Sequence, residues 1–208
     1  MDRMTQFTPA EVAFVLREPL RAVKKALDTG PVRPVLLRKT GVAVRTVGWP
    51  DLFYLYAVKA LREELTPRAR IEFYEALQQG AVQREGEVRF GRFRVAVADL
   101  VRDVESRTAE LAALAAKIDF RSDGEALLRG STIEVYRIAA LLDGGMSVDE
   151  VLTDYPSLTR QAVLTARTYA ETHPKPGRPY PRTTAKRALQ GAGLEALDEV
   201  LDDDNAAE

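Results

Sequence analysis

The sequence predicts a mainly α chain with short β hairpins. Three observations carry that prediction. Apolar residues recur at helical spacing behind capping signatures such as Thr8-Pro9-Ala10-Glu11 and Ser147-Val148-Asp149-Glu150. Two β-rich runs each fold about a glycine, at Gly41 and Gly91. A Gly144-Gly145 break and a Tyr155-Pro156 stop divide the last third into short helices.

Thr8-Pro9-Ala10-Glu11 starts the first helix, with Val12, Val15 and Leu16 on one face and proline at the first helical position. Arg17-Glu18-Pro19 breaks it. A second helix carries Leu20, Val23 and Leu27 at i, i+3 and i+7, and Gly30-Pro31 ends it. Arg21, Lys24 and Lys25 fall off that apolar face. Two short helices across a tight turn, the second basic, read as a helix-turn-helix. Val35-Leu36-Leu37 and Val42–Val47 read as strands around Arg38-Lys39-Thr40-Gly41, a hairpin with a basic tip. Asp51–Leu65 reads as a strong helix, and Thr66-Pro67 caps another ending near Gly80. Val88-Arg89-Phe90 and Phe93–Val97 suggest a second hairpin about Gly91. Asp99–Ile118 follows as a helix whose Ala-rich face packs within the chain or against a second copy.

"DFRSDGEA", residues 119–126, reads as a linker. Leu127-Leu128 and Thr132–Val135 then flank a turn at Arg129-Gly130-Ser131. A helix over Val135–Leu142, a capped one stopping at Tyr155-Pro156, and a third over Thr159–Thr172 make a trihelical unit. The third helix clusters Ala162, Val163, Ala166, Tyr169 and Ala170 on one face. Four prolines from Pro174 to Pro181 make the next stretch extended. Thr184–Leu189 and Gly193–Leu201 read as short helices. The domain expectation is 1–80, 81–120 for packing or dimerisation, 121–173, and a tail over 174–208.

A chain of 208 residues, 46% hydrophobic and 29% charged, suits one or two small domains with real cores. Cysteine is absent, which excludes disulfides and thiolate zinc sites. His173 is the single histidine, so no His-based metal site or catalytic pair forms within one chain. No phosphate loop and no acidic cluster with metal spacing appears, so the expectation is no enzyme, no metal and no cofactor. No apolar run approaches the ~18 residues of a membrane span, and the N-terminus lacks a signal core. The expectation is a soluble, cytoplasmic chain.

The net charge of −1 hides blocks. From Arg17 to Arg45 eight basic residues face two acidic ones. From Lys175 to Arg187 there are five basic residues and no acidic ones, and from Glu195 to Glu208 seven acidic and no basic ones. Such blocks point to polyionic partners. The candidate DNA-contacting residues are Arg17, Arg21, Lys24, Lys25, Arg38, Lys39 and Arg45, with Arg160 and Gln161 at the start of the last helix. Cations supply phosphate affinity, and a helix in the major groove reads base edges.

Two resemblances sharpen this reading. "TPAEVAFVL" and the hairpin leading into "WPDLFYL" resemble a MerR-like winged helix-turn-helix over residues 6–65, departing from it at "REPL". The implied architecture is a winged helix-turn-helix N-terminal domain plus a C-terminal trihelical, helix-turn-helix-like domain. Arg129-Gly130-Ser131-Thr132-Ile133, Leu141-Leu142 with Gly144-Gly145-Met146-Ser147, and Glu150-Val151-Leu152 with Asp154-Tyr155-Pro156 resemble the domain of unknown function 433 of VapB-type antitoxins. That resemblance implies a type II antitoxin that silences a PIN-like ribonuclease toxin, binds operator DNA to repress its own operon, and pairs as a dimer. A PIN-like ribonuclease holds Mg²⁺ in a carboxylate cluster. A basic extended tail complements such a cleft, so Lys175, Arg178, Tyr180, Arg182, Lys186 and Arg187 are the candidate toxin contacts. The alternative is a stand-alone MerR-like regulator. It would sense a small ligand in a pocket of Phe53, Tyr54, Tyr56, Phe73, Tyr74, Phe90 and Phe93, which otherwise read as core.

Overall fold

The computed structural model describes residues 6–39, 42–80, 86–175, 180–185 and 187–188. It is mainly helical, with short antiparallel hairpins. The chain divides into two compact units, Met1–Ala115 and Ala116–Glu208.

Unit one runs α1 (Pro9–Leu16), α2 (Leu20–Thr29), β1 (Val35–Lys39), β2 (Val42–Thr46), α3 (Trp49–Ala60), α4 (Pro67–Gln78), β3 (Glu87–Phe90), β4 (Phe93–Ala96) and α5 (Ala98–Ala115). The capping box forms as read: the Thr8 N–H donates to Glu11 at 2.6 Å, and Thr8 Oγ1 accepts the Glu11 N–H at 3.3 Å. α1 stops because Arg17 turns left-handed, with φ of 50°, and Pro19 then fixes the backbone ahead of α2. The exposed carbonyls at the end of α1 do not go unmet. Lys59 Nζ donates to the Leu16 carbonyl at 2.8 Å, and Arg107 Nη1 to the Val15 carbonyl at 2.7 Å. Both cations sit where the helix dipole is negative, and Arg107 lies 5.0 Å from the Tyr56 ring centre. α5 is thereby tied to α1 and α3 within unit one.

The core of this unit joins Val12, Val15, Val23, Leu52, Phe53, Phe73, Val88, Val97 and Val104. Aromatic rings run through it: Phe73 lies 6.3 Å from Tyr54 and 5.3 Å from Phe90.

Asp51 joins two helices here. Its carboxylate accepts the Gly48 N–H at 3.1 Å, the Tyr74 hydroxyl at 2.9 Å and the Gln78 amide at 2.9 Å. Burial first, and this hydrogen bond second, push the Tyr74 hydroxyl up to about 12. Asp51→Ala removes the α3 cap and the tie to α4 together. We expect a loss of about 1–3 kcal/mol in urea unfolding. Asp51→Asn, which keeps an acceptor, should recover part of it.

Four boundaries differ from the sequence reading. α3 begins at Trp49 and ends at Ala60, not Leu65; Arg70 takes up the later carbonyls, donating to Leu65 at 3.0 Å and Arg62 at 2.7 Å. Arg38 and Lys39 lie on β1, paired with Ala43 and Val42, rather than at the hairpin tip. α5 ends at Ala115, and Ile118 starts a strand. The supposed linker 119–126 is most of a hairpin.

Unit two runs β5 (Ile118–Phe120), β6 (Ala126–Leu128), α6 (Val135–Asp143), α7 (Val148–Asp154) and α8 (Arg160–Thr172). β5 and β6 pair antiparallel, Ile118 with Leu128 and Phe120 with Ala126. Between them the Asp123 carboxylate accepts from Arg121 Nε at 2.9 Å and from the Glu125 N–H at 3.0 Å, and Gly124 takes φ of 84°. Short polar residues that look like a linker by composition here build a tight turn. Thr132-Ile133 adds no strand; a single bridge joins Leu127 to Glu134. The trihelical unit forms as read. Ser147 and Glu150 box the start of α7, and Thr159 Oγ1 accepts the Ala162 N–H at 3.1 Å to cap α8. Val135, Ile138, Leu141, Val151, Val163 and Ala166 are its buried interior. Tyr169 stacks on His173 with ring centres 4.2 Å apart.

Candidate functional site

α2 is amphipathic in space as well as in sequence. Val23 and Leu27 are buried, while Arg21, Lys24 and Lys25 are exposed on the opposite side. Arg17, at the turn before α2, is also exposed, as is Arg38 on β1. The β1–β2 ribbon is fastened to α2 through Arg45, whose Nη1 lies 2.8 Å from Asp28 Oδ1. That pair is open to solvent, so it is worth ~1 kcal/mol or less. Among the described residues, Arg17, Arg21, Lys24, Lys25 and Arg38 form no ion pair. The structure therefore brings six of the seven N-terminal candidates onto α2, its preceding turn and the adjoining ribbon. The seventh, Lys39, has a backbone on β1 and a side chain outside the described residues.

The ribbon holds residues that the sequence reading missed as surface. Val35 and Leu36 are 55% and 67% exposed, and Leu37 is 37% exposed. The signal was present: three consecutive apolar residues in a strand point to both faces, and a two-stranded ribbon has no second layer on one of them.

Arg160 and Gln161 lie at the exposed start of α8. Arg160 is ion-paired with Asp149 of α7. Its charge is thus partly answered within the unit, unlike the cations of α2.

The tail differs most from its reading. Arg178 and Lys186 lie outside the described residues. The other candidates do not stand free; they lie against unit two. The Lys175 ammonium is ion-paired with Glu125 and donates to the Tyr180 hydroxyl at 3.1 Å. It sits 5.5 Å from the Tyr136 ring centre and 5.0 Å from that of Tyr180. Arg137 donates from α6 to the carbonyls of Pro181 at 3.3 Å and Thr183 at 3.2 Å. Thr184, almost fully buried, donates to Asp154 at 3.2 Å. Arg187 reaches Glu150 at 2.8 Å and Asp154 at 3.3 Å. Arg182 keeps an exposed side chain while its backbone passes over Gly144. Residues 176–179 of the proline stretch lie outside the described residues; a helical turn starts at Ala185, with Thr184 Oγ1 accepting the Arg187 N–H at 3.3 Å.

These contacts shape the local electrostatics. Hydrogen bonds from the Ser147 backbone and hydroxyl, and then from Arg187, hold the Glu150 carboxyl down to about 2. Burial pushes the Tyr136 hydroxyl up to about 12. Glu150 is ionised more firmly in the folded chain than in the unfolded one. Its contribution is therefore complete above its ordinary value of 4.5 and is lost as pH falls towards about 2. We expect hydrogen-exchange protection, corrected for the intrinsic rate at each pH, to fall across that window at the α7 N-terminus and at Thr184 and Arg187. Glu150→Gln should remove that loss of protection.

The aromatic set proposed as a ligand pocket packs ring on ring instead. Phe53, Tyr54, Tyr56, Phe73 and Phe90 are buried in the core. Tyr54 meets Tyr74 edge-on at 4.9 Å. Only Phe93 of the set is half exposed, on the rim of a shallow cleft with Thr66, Arg68, Glu72 and Arg92. Among the described residues no group of three or more histidines and carboxylates is placed to hold a metal, and no helix is long and apolar enough to cross a membrane.

A family model described as "Protein of unknown function (DUF433)" matches residues 121–170. The match takes in β6, α6, α7 and most of α8, and stops short of the tail. No curated protein and no solved structure matches the chain.

Proposed function

We propose that the chain is a DNA-binding antitoxin, a repressor of its own operon that also neutralises a PIN-like ribonuclease. The observation that carries the DNA half is the open cationic face of α2, where Arg21, Lys24 and Lys25 are exposed, with Arg38 exposed on the ribbon that Arg45 links to α2. In this reading unit one acts as a winged helix-turn-helix. α2 enters the major groove, the ribbon lies along the flanking backbone, and a dimer spaces two such helices one turn of duplex apart. The sequence resemblance over the DUF433 region and the basic tail support the antitoxin half.

The experiment is a titration of the full chain onto duplex from upstream of its own reading frame, and onto scrambled duplex, at several salt concentrations. Operator recognition predicts binding about 10³-fold tighter or better on the upstream duplex. Equal affinity for the two duplexes at every salt would refute it. Co-purification of the full chain with the product of the adjacent reading frame tests the antitoxin half.

A further inference from the structure

Gly144 poses a question that its own backbone does not answer. Its φ and ψ are −77° and −2°, ordinary helical values open to any residue. Gly145 is the one that needs to be glycine, with φ of 94°. A Cβ on Gly144 would stand 2.1 Å from the Arg182 carbonyl oxygen and 2.7 Å from its Cβ. The bare Cα is there for the tail to pass over.

Around that crossing the contacts extend in both directions. Upstream, Lys175 fills a cage made by Glu125, Tyr136 and Tyr180. The other Glu125 oxygen, Oε1, is buried with no hydrogen-bond partner among the described residues, so this carboxylate depends on the tail's ammonium. In the middle, Arg137 grips two tail carbonyls. Downstream, Thr184 and Arg187 converge on Asp154, and Arg187 also reaches Glu150. A cation cage, a carbonyl clamp, a glycine floor and a carboxylate pair make a surface built for an extended basic peptide.

We infer that unit two carries a peptide seat, filled in cis by the chain's own tail, which reaches an acidic partner only by leaving that seat. The second clause rests on the proposed function; the first stands without it. Lys175 and Arg187, the cations suited to a carboxylate-rich cleft, are already answered by Glu125, Glu150 and Asp154. Binding is then an exchange of one set of carboxylates for another. The apparent affinity for the partner is the intrinsic affinity multiplied by the fraction of chains whose tail is undocked. Chains that have not met a partner keep Lys175 and Arg187 paired within unit two.

The test uses two full-length variants that leave the tail sequence intact. Gly144→Ala suits the local backbone but places a methyl where the tail carbonyl runs. Arg137→Met removes the clamp. Circular dichroism confirms that both stay folded. Limited trypsin digestion, read by mass spectrometry, follows cleavage after Arg182. We expect about tenfold faster cleavage in both variants, and polyglutamate peptide to bind both more tightly than wild type by a similar factor. Unchanged cleavage in both variants overturns the seat. Faster cleavage with unchanged polyglutamate affinity overturns the exchange. If no form of the chain binds polyglutamate, the acidic-partner role of the tail fails, and the exchange with it. The cleavage result then still decides the seat.

Discussion

Phe73→Ala should destabilise unit one by about 3–5 kcal/mol, the range for removing a fully buried phenylalanine side chain. Phe73 is 0% exposed and sits on α4 between Tyr54 of α3 and Phe90 of β3. Removing the ring opens a cavity bounded by three separate elements, which cannot all collapse into it. It also deletes two aromatic contacts, each worth about 0.5–1.5 kcal/mol beyond area burial. The readout is built into the chain. Trp49 is the sole tryptophan and stacks on Phe53 at 5.2 Å within unit one, so indole fluorescence in urea follows this unit. The midpoint should fall while Leu164→Ala, on the exposed face of α8, leaves it unmoved. A loss below about 1 kcal/mol would mean that the rings are not packed as described.

Phe73 was legible as core from the sequence, and so were the helices that begin with their own caps. Thr8 with Glu11 and Ser147 with Glu150 are three residues apart, so the chemistry that starts the helix is written locally. What failed was chemistry hidden by composition or by distance. "RSDG" looks like a linker because its residues are polar, yet Asp123 and Gly124 make the turn that pairs β5 with β6. α3 stops early, and Arg70, beyond the next helix start, donates to the Arg62 and Leu65 carbonyls of the segment that follows it.

The tail is where the structure adds most to the sequence, through contacts within the chain that its spacing does not show. The acidic residues of α7 were visible, and so was the basic run from Lys175 to Arg187. The basic run was read against an outside partner, a ribonuclease. In the folded chain they answer one another, Arg187 with Asp154 across 33 positions and Lys175 with Glu125 across 50. Opposite charge blocks in one chain are complementary to each other before they are complementary to anything else. The double glycine held a local trace of this, since a helix stop needs one left-handed glycine and this stop has a second.

Among the described residues Arg21, Lys24 and Lys25 of α2 carry no such internal answer, and that contrast leads to the largest effect on binding. Arg21→Ala, Lys24→Ala and Lys25→Ala together should reduce the log–log salt slope of DNA binding by about 2.7, at about 0.9 for each lost phosphate contact. Near physiological salt this amounts to a fall of about 10²-fold in affinity. The three residues lie on the exposed side of α2, away from Val23 and Leu27, and alanine is the best helix former. The variant should therefore fold and keep its Trp49 transition. Arg160→Ala is the matched control. Its side chain is paired with Asp149, so its removal should change the slope by about half a unit or less. Anisotropy titrations between about 50 and 200 mM salt separate the two cases. If the triple variant keeps the wild-type slope and Arg160→Ala loses it, the duplex lies on α8 of unit two. The basic face of α2 is then a solvated surface, and DNA contact belongs to the DUF433-matched region.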